Sequence, residues 1–190
     1  MTVASDQRCP LAAAPASAAS TAAAAASAEH DPLRFRDVLG HYASGLTVIA
    51  GIDDDGPVGF TCQSFYSVSL EPPLVSFSVM ATSTSYPRIR ATERFAINVL
   101  SHDQDDLARQ FARSGSDKWA GVRWAAAASG NPLIAGSLAT VDCELWAEHE
   151  AGDHVIVVGR VVELEVAAQP THPLLFYRGG FHRLGWDAQG

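Results

Sequence analysis

The chain has 190 residues, 47% hydrophobic and 18% charged, a balance that supports one domain with a substantial core and argues against wholesale disorder. Thirteen Lys and Arg against 21 Asp and Glu leave a formal net charge of −8, which repels phosphate backbones and anionic lipid, so neither nucleic acid nor membrane is an expected partner. The three cysteines (Cys9, Cys62, Cys143) form no C-x-x-C pair, no run reads as a spanning helix, and no secretory leader is discernible; the expectation is a cytoplasmic protein with reduced thiols.

Residues 1–28 are Ala, Ser and Pro-rich, with little surface to bury, and read as a flexible extension ahead of one domain spanning 29–190. Order is expected to begin at Asp31-Pro32, a good N-cap followed by a residue suited to the first helical turn. Phe35, Val38, Leu39 and Tyr42 then share one face of a short helix ending near Gly45. Strands are predicted over Leu46 to Ile52 and Val58 to Ser64, joined by the Asp-Asp-Asp-Gly-Pro turn at 53–57. Ser-Phe-Tyr-Ser-Val-Ser-Leu-Glu-Pro-Pro, residues 64–73, leads to a third strand from Leu74 to Met80.

Ser85 to Ala91 reads as a short helix, and Phe95 to Leu100 as a strand. Ser101-His-Asp-Gln104 has the spacing of a capping box and opens a helix through Leu107, Ala108 and Phe111. Lys118 to Asn131 reads as loop. Ser137 to His149 and His154 to Val166 are long strands joined by Glu150-Ala-Gly-Asp153, and Leu174 to Arg178 supplies a last one. Short strands with regular turns and few helices between them predict a mainly β, antiparallel barrel or sandwich, with a few short helices.

Several chemistries have no motif here. There is no G-x-G-x-x-G, no Walker phosphate loop and no G-x-S-x-G elbow. His149 and His154 lie near each other without cysteine or paired carboxylates at ligand spacing, so no metal is expected. The acidic runs at 53–55 and 103–106 suit a solvated turn and a helix first turn.

Three segments carry more: Pro57-Val-Gly-Phe-Thr-Cys-Gln-Ser-Phe-Tyr-Ser-Val-Ser-Leu-Glu-Pro-Pro-Leu-Val75, Gly152-Asp-His-Val-Ile-Val-Val-Gly159 and Pro173-Leu-Leu-Phe-Tyr-Arg-Gly179. In this order they resemble the short-chain flavin reductase family, the NAD(P)H:flavin oxidoreductase components of two-component flavin-dependent monooxygenases, from about Leu33 to Gly185. The resemblance implies a split antiparallel β-barrel, usually a homodimer. It implies hydride transfer from NADH to FMN or FAD, with the reduced flavin released to a partner monooxygenase. No acid–base residue is obligatory for that reaction, because the two cofactors carry the chemistry and the protein orients them. NADH is expected over NADPH, since no arginine cluster near Gly152 marks a 2′-phosphate pocket.

By the same resemblance, Val58, Gly59, Phe60, Thr61, Gln63 and Ser64 would run beside the flavin, Gly59 permitting close approach. Ser78, Val79 and Met80 would line the ring. Thr84 and Ser85 would hold the phosphate, although residues 81–85 lack a cation and Arg88 or Arg90 would have to supply one. Gln110 and Phe111 would touch the flavin from the capped helix. Gly152, Asp153, His154 and Val155 match the nicotinamide nucleotide element, and Arg178 is a candidate phosphate contact. Plainer readings stand beside these: Thr61 and Ser64 as a polar strand face, Ser83 or Ser85 as a helix cap, Phe111 as core, His154 as a turn histidine, Arg178 as a strand-end ion pair. Cys62 reads as a packed thiol. Two rival functions also fit such a barrel, a non-catalytic flavin- or haem-binding module and a self-sufficient flavin oxidase.

Overall fold

The computed structural model describes residues 31–168 and 171–184. The extension at 1–28, with Cys9, and the end of the resemblance at Gly185 lie outside the described residues. The chain divides into a short unit up to Leu39 and a main unit from Gly40 onward. In the first, helix α1 (Pro32–Leu39) starts where the sequence places it, and the Asp31 carboxylate accepts the Leu33 N–H at 3.0 Å. It is shorter than expected, stopping before Gly40, and none of its residues is buried.

The main unit is mainly β, and every strand pair among the described residues is antiparallel. After the two-residue β1 (Ser44–Gly45) come β2 (Thr47–Asp53) and β3 (Gly56–Cys62), a tight hairpin in which Asp53 faces Gly56. Gly56 has φ +100°, which is why glycine ends the acidic turn. β2 is buried along both faces: Ile49 joins one apolar cluster, whereas Val48 and Ala50 join another with Leu100, Ala108 and Phe111. A strand buried on both faces shows no apolar–polar alternation, as the sequence of β2 does not.

β4 (Tyr66–Leu70) follows, a strand where only a connection was expected, then β5 (Pro73–Met80), helix α2 (Tyr86–Thr92) and β6 (Arg94–Val99). Helix α3 (Asp105–Ala112) begins after Gln104, not at Ser101. Half of the expected capping box is formed: the Gln104 side chain accepts the Ser101 N–H at 3.0 Å. The segment read as loop holds β7 (Trp124–Ala126), which pairs with β8 (Pro132–Ile134). β9 (Ala139–Ala151) and β10 (His154–Val166) form a long hairpin turned at Gly152, φ +67°, and β11 (Leu174–Tyr177) pairs with β12 (Gly180–Arg183).

Seven strands make the main sheet, in the order β3-β2-β6-β9-β10-β5-β4. The expected antiparallel, mainly β architecture is present, but the barrel is not closed by strand pairing, because no ladder joins the two end strands. In the connection between those two end strands a side chain takes the place of a ladder with β5: Ser64 Oγ accepts the Ser78 N–H at 2.8 Å and donates to the Ser78 carbonyl at 3.1 Å. Ser64 lies just ahead of β4, where continuing the Tyr66–Ser76 register would place a strand partner for Ser78.

The sheet wraps a cluster in which Phe77 meets Phe60, Tyr86 and Phe95 edge-on, with ring centroids 5.3 to 6.2 Å apart. Helix α2 plugs this cluster with Ile89 and is tied on both sides. Arg88 Nε donates to Asp53 at 2.7 Å, while Arg90 Nε and the Tyr86 hydroxyl donate to the two Glu148 oxygens at 2.6 and 2.7 Å.

Candidate active site

A cleft of about 540 Å³ opens where β3, the end of β5, the 82–85 segment, the end of α3 and the β9–β10 turn converge. That volume lies within the roughly 300–1,000 Å³ of small-molecule sites. Phe60, Thr61, Gln63, Ser64, Ser78, Val79, Met80, Thr84, Ser85, Phe111 and His154, all singled out from the sequence, line it together. Residues as distant in sequence as Phe60 and His154 meet here because β10 pairs with β5, with His154 opposite Met80. The Asp153 carbonyl also accepts the Ala81 N–H at 2.9 Å, fixing the turn to the end of β5.

Other sequence candidates have different surroundings. Val58 is buried in the inner cluster and is not part of the cleft lining. Gly59 makes room for Phe111: a Cβ there would lie 2.9 Å from Phe111 Cε1 and from the Ile49 carbonyl, so its missing side chain serves packing of α3 against β3. The Thr61 hydroxyl is committed to the Ala108 carbonyl of α3 at 2.6 Å. Gln110 does not line the cleft; its amide donates to the carbonyls of Lys118 and Ala120 at 2.9 and 3.0 Å and holds that loop. Gly152, Asp153 and Val155 also lie outside the lining. Asp153 instead accepts from His154 Nδ1 at 2.7 Å, a contact that holds its carboxyl below the ordinary value and orients the ring. Arg178 sits in the β11–β12 turn with φ 48° and is no part of the cleft.

The cation missing from residues 81–85 is supplied by neither candidate arginine. Arg88 is held by Asp53 and Arg90 by Glu148. Lys118, in the stretch read as loop, supplies it: Nζ lies 3.3 Å from the Gly59 carbonyl and 3.4 Å from Ser85 Oγ, inside the lining. Burial pushes its pKa down, and among the described residues no carboxylate pairs with it. The lysine is positioned locally by Gln110, by the Asp117 carboxylate accepting the Trp119 N–H at 3.0 Å, and by Trp119 packing edge-on against Phe111 at 4.9 Å.

Thr82, Ser83, Ala112, Ser114 and Cys62 complete the lining beyond the sequence candidates. Ser83 takes the capping role, its hydroxyl accepting the Tyr86 N–H at 3.2 Å, which leaves the Ser85 hydroxyl to Lys118. Cys62 is a packed thiol, as expected, its pKa raised by burial. The cleft thus has hydroxyls along one wall, Val79, Met80, Phe60 and Phe111 as apolar surface, His154 at one end and Lys118 at another, with no carboxylate among the described residues that line it.

A mainly β, antiparallel sheet wrapped round an aromatic cluster, with an anion-tolerant cleft at its seam, defines the class. The chain belongs to the family of flavin reductase like domains, whose model matches residues 39–185. It is 48% identical over 156 residues, 82% of this chain and 83% of the relative, to the flavin-dependent monooxygenase reductase subunit HsaB of Mycobacterium tuberculosis (strain CDC 1551 / Oshkosh). It is 42% identical over 149 residues, 78% of this chain and 84% of the relative, to the FMN reductase (NADH) SmoA of Agrobacterium fabrum (strain C58 / ATCC 33970). Among solved structures, the Streptomyces globisporus C-1027 NADH:FAD oxidoreductase SgcE6, in complex with NAD and FAD fragments, superposes with a TM-score of 0.79 at 36% identity, covering 84% of this chain and 96% of that one.

Proposed function

We propose that this chain is an NADH-dependent flavin reductase that reduces FMN or FAD and releases the product to a separate flavin-dependent monooxygenase. The observation that carries the reading is the cleft itself, which unites eleven of the residues picked from the sequence in a space sized for a small ligand. Family membership and relatives named as reductase subunits support the same chemistry.

When bound, a flavin would supply N5 as the acceptor for a hydride from C4 of a reduced nicotinamide; the protein's part is to hold the two face to face and keep water out. Ser78, Val79 and Met80 offer a strand end against which a planar ring can lie, with Gln63 presenting a polar group at its edge and Ser64 holding the backbone of Ser78 in place. His154 stands beside Met80 with its Nδ1 engaged by Asp153, so Nε2 is the ring nitrogen left for the nicotinamide amide. No proton has to be delivered by a side chain for that transfer. Mostly neutral walls also suit a product that must leave.

The test is anaerobic: the purified chain with NADH and FMN, FAD or riboflavin should bleach the flavin absorbance near 450 nm well above the protein-free rate. A rate equal to the control would overturn the proposal. His154→Ala should raise the KM for NADH about 10-fold or more, the loss of one well-placed hydrogen bond and its packing, while flavin titration stays within about twofold. An unchanged KM would remove His154 from the site. We further propose a homodimer in the cytoplasm, so light scattering should give about twice the chain mass.

A further inference from the structure

We infer that Met80 is an oxidation site: peroxide formed where reduced flavin meets dioxygen in the cleft converts its thioether to the sulfoxide and slows the reductase. The inference rests on the reading of the cleft as the place of flavin reduction and adds to it a brake on that reaction. Met80 ends β5, lines the cleft and is 53% exposed. Oxidation of a thioether needs access but no deprotonation, so exposure governs it. The thiols among the described residues are poorer targets. Cys62 also lines the cleft but is buried, its sulfur 3.3 Å from Ser64 Oγ, and burial raises its pKa. Cys143 is fully buried, its thiol pushed up to about 12. Neither offers the thiolate that peroxide attacks.

The chemistry balances on what the reaction supplies. Reduced flavin passes two electrons and two protons to dioxygen, giving oxidised flavin and hydrogen peroxide. The Met80 sulfur then attacks one peroxide oxygen: the O–O bond breaks, an S–O bond forms, the sulfur is oxidised by two electrons and water leaves. A partner that consumes reduced flavin starves this step, so the modification marks turnover in excess of demand.

Position gives the oxidation a consequence. Met80 lies directly opposite His154 in the β5–β10 ladder, on the same face, where Cβ atoms stand about 5 Å apart. Asp153 engages His154 Nδ1 at 2.7 Å, which leaves Nε2 for the nicotinamide. A sulfoxide puts a polar acceptor beside that nitrogen and removes apolar surface from the support of the rings.

The test cycles purified wild type with NADH and FMN in air, with catalase in solution, then weighs its peptides. The peptide carrying Met80 should gain one oxygen atom, and reduction without dioxygen should add none. The KM for NADH should rise about 10-fold, the effect of a polar group forced into an apolar contact, and methionine sulfoxide reductases with dithiothreitol should restore it. Catalase removes peroxide only from bulk solution, so a modification that catalase abolishes overturns the inference. A Met80 left intact after aerobic turnover overturns it too, as does a sulfoxide that leaves KM unchanged. Met80→Leu keeps the volume without the sulfur and should hold its own starting rate through aerobic cycling while wild type declines. A leucine variant that declines in parallel overturns the inference. If that variant does not fold, by circular dichroism, the peptide masses of wild type decide. Failure of NADH to bleach FMN at all would instead sink the flavin reading, a result separate from these.

Discussion

At position 59 a hydrogen in place of a side chain decides where Phe111 can lie. With a Cβ only 2.9 Å from both the Phe111 ring and the Ile49 carbonyl, Gly59→Val would force the ring out of the cleft wall or β3 away from β2. Overpacking of this kind costs about 1–3 kcal/mol, read as a lower urea midpoint, and weakened flavin binding should accompany it. A variant with a wild-type midpoint would mean that the neighbours give way freely. Thr61 offers the opposite pattern. Its hydroxyl is bound to Ala108, so Thr61→Val should lose about 0.5–1.5 kcal/mol of stability and leave flavin affinity within about twofold. A large loss of affinity at full stability would show that the hydroxyl turns to the ligand instead. Both residues were visible in the sequence as part of a glycine-bearing strand, but their partners were not, since Phe111 and Ala108 lie some fifty positions away and meet them only in the folded chain.

At the scale of elements, helix α2 is held between two carboxylates, Asp53 on the β2–β3 turn and Glu148 on β9. The Arg88 guanidinium holds the Asp53 carboxyl below its ordinary value. A carboxylate whose pKa is lowered by folding stabilises the folded state above its unfolded pKa, and that contribution is lost as the pH falls through the depressed value. Melting temperature should therefore drop more steeply below about pH 4 in wild type than in Asp53→Asn, the ordinary aspartate value being near 3.9. Equal acid limbs would show that the pair adds nothing there. Elements with a strong local pattern were legible: the β2–β3 hairpin from its Asp-Gly turn, β5 and β6 from their apolar runs, α2 from Pro87, and β9–β10 from their length. β4 was not, because Tyr-Ser-Val-Ser-Leu at 66–70 is an exposed edge strand with a register shift near Val68 that breaks alternation. β12 hid behind Gly179-Gly180, which reads as turn. Lys118 escaped because nothing in its own neighbourhood distinguishes a solvated loop lysine from one folded back against Gly59 and Ser85.

For the molecule as a whole, large apolar side chains remain uncovered along the sheet: Leu70 is 91% exposed, Leu164 68% and Val166 73%. The proposed homodimer would cover part of this surface. A Leu164→Asp variant that lowers the light-scattering mass to that of one chain would place these strands at the contact, and one that keeps the doubled mass would place it elsewhere.

The seam at Ser64 has a consequence for how this wall can change. Elsewhere in the sheet the strands pair through backbone amides and carbonyls, Pro57 and Pro73 lacking only the amide, so most side-chain substitutions pass without unzipping a neighbour. Opposite Ser78 one oxygen stands in for both groups of a peptide, and only a short hydroxyl-bearing side chain provides it. Threonine can inherit the post; alanine would leave the Ser78 amide and carbonyl to water, and faster deuterium uptake at that one amide would record a door left ajar beside the ligand.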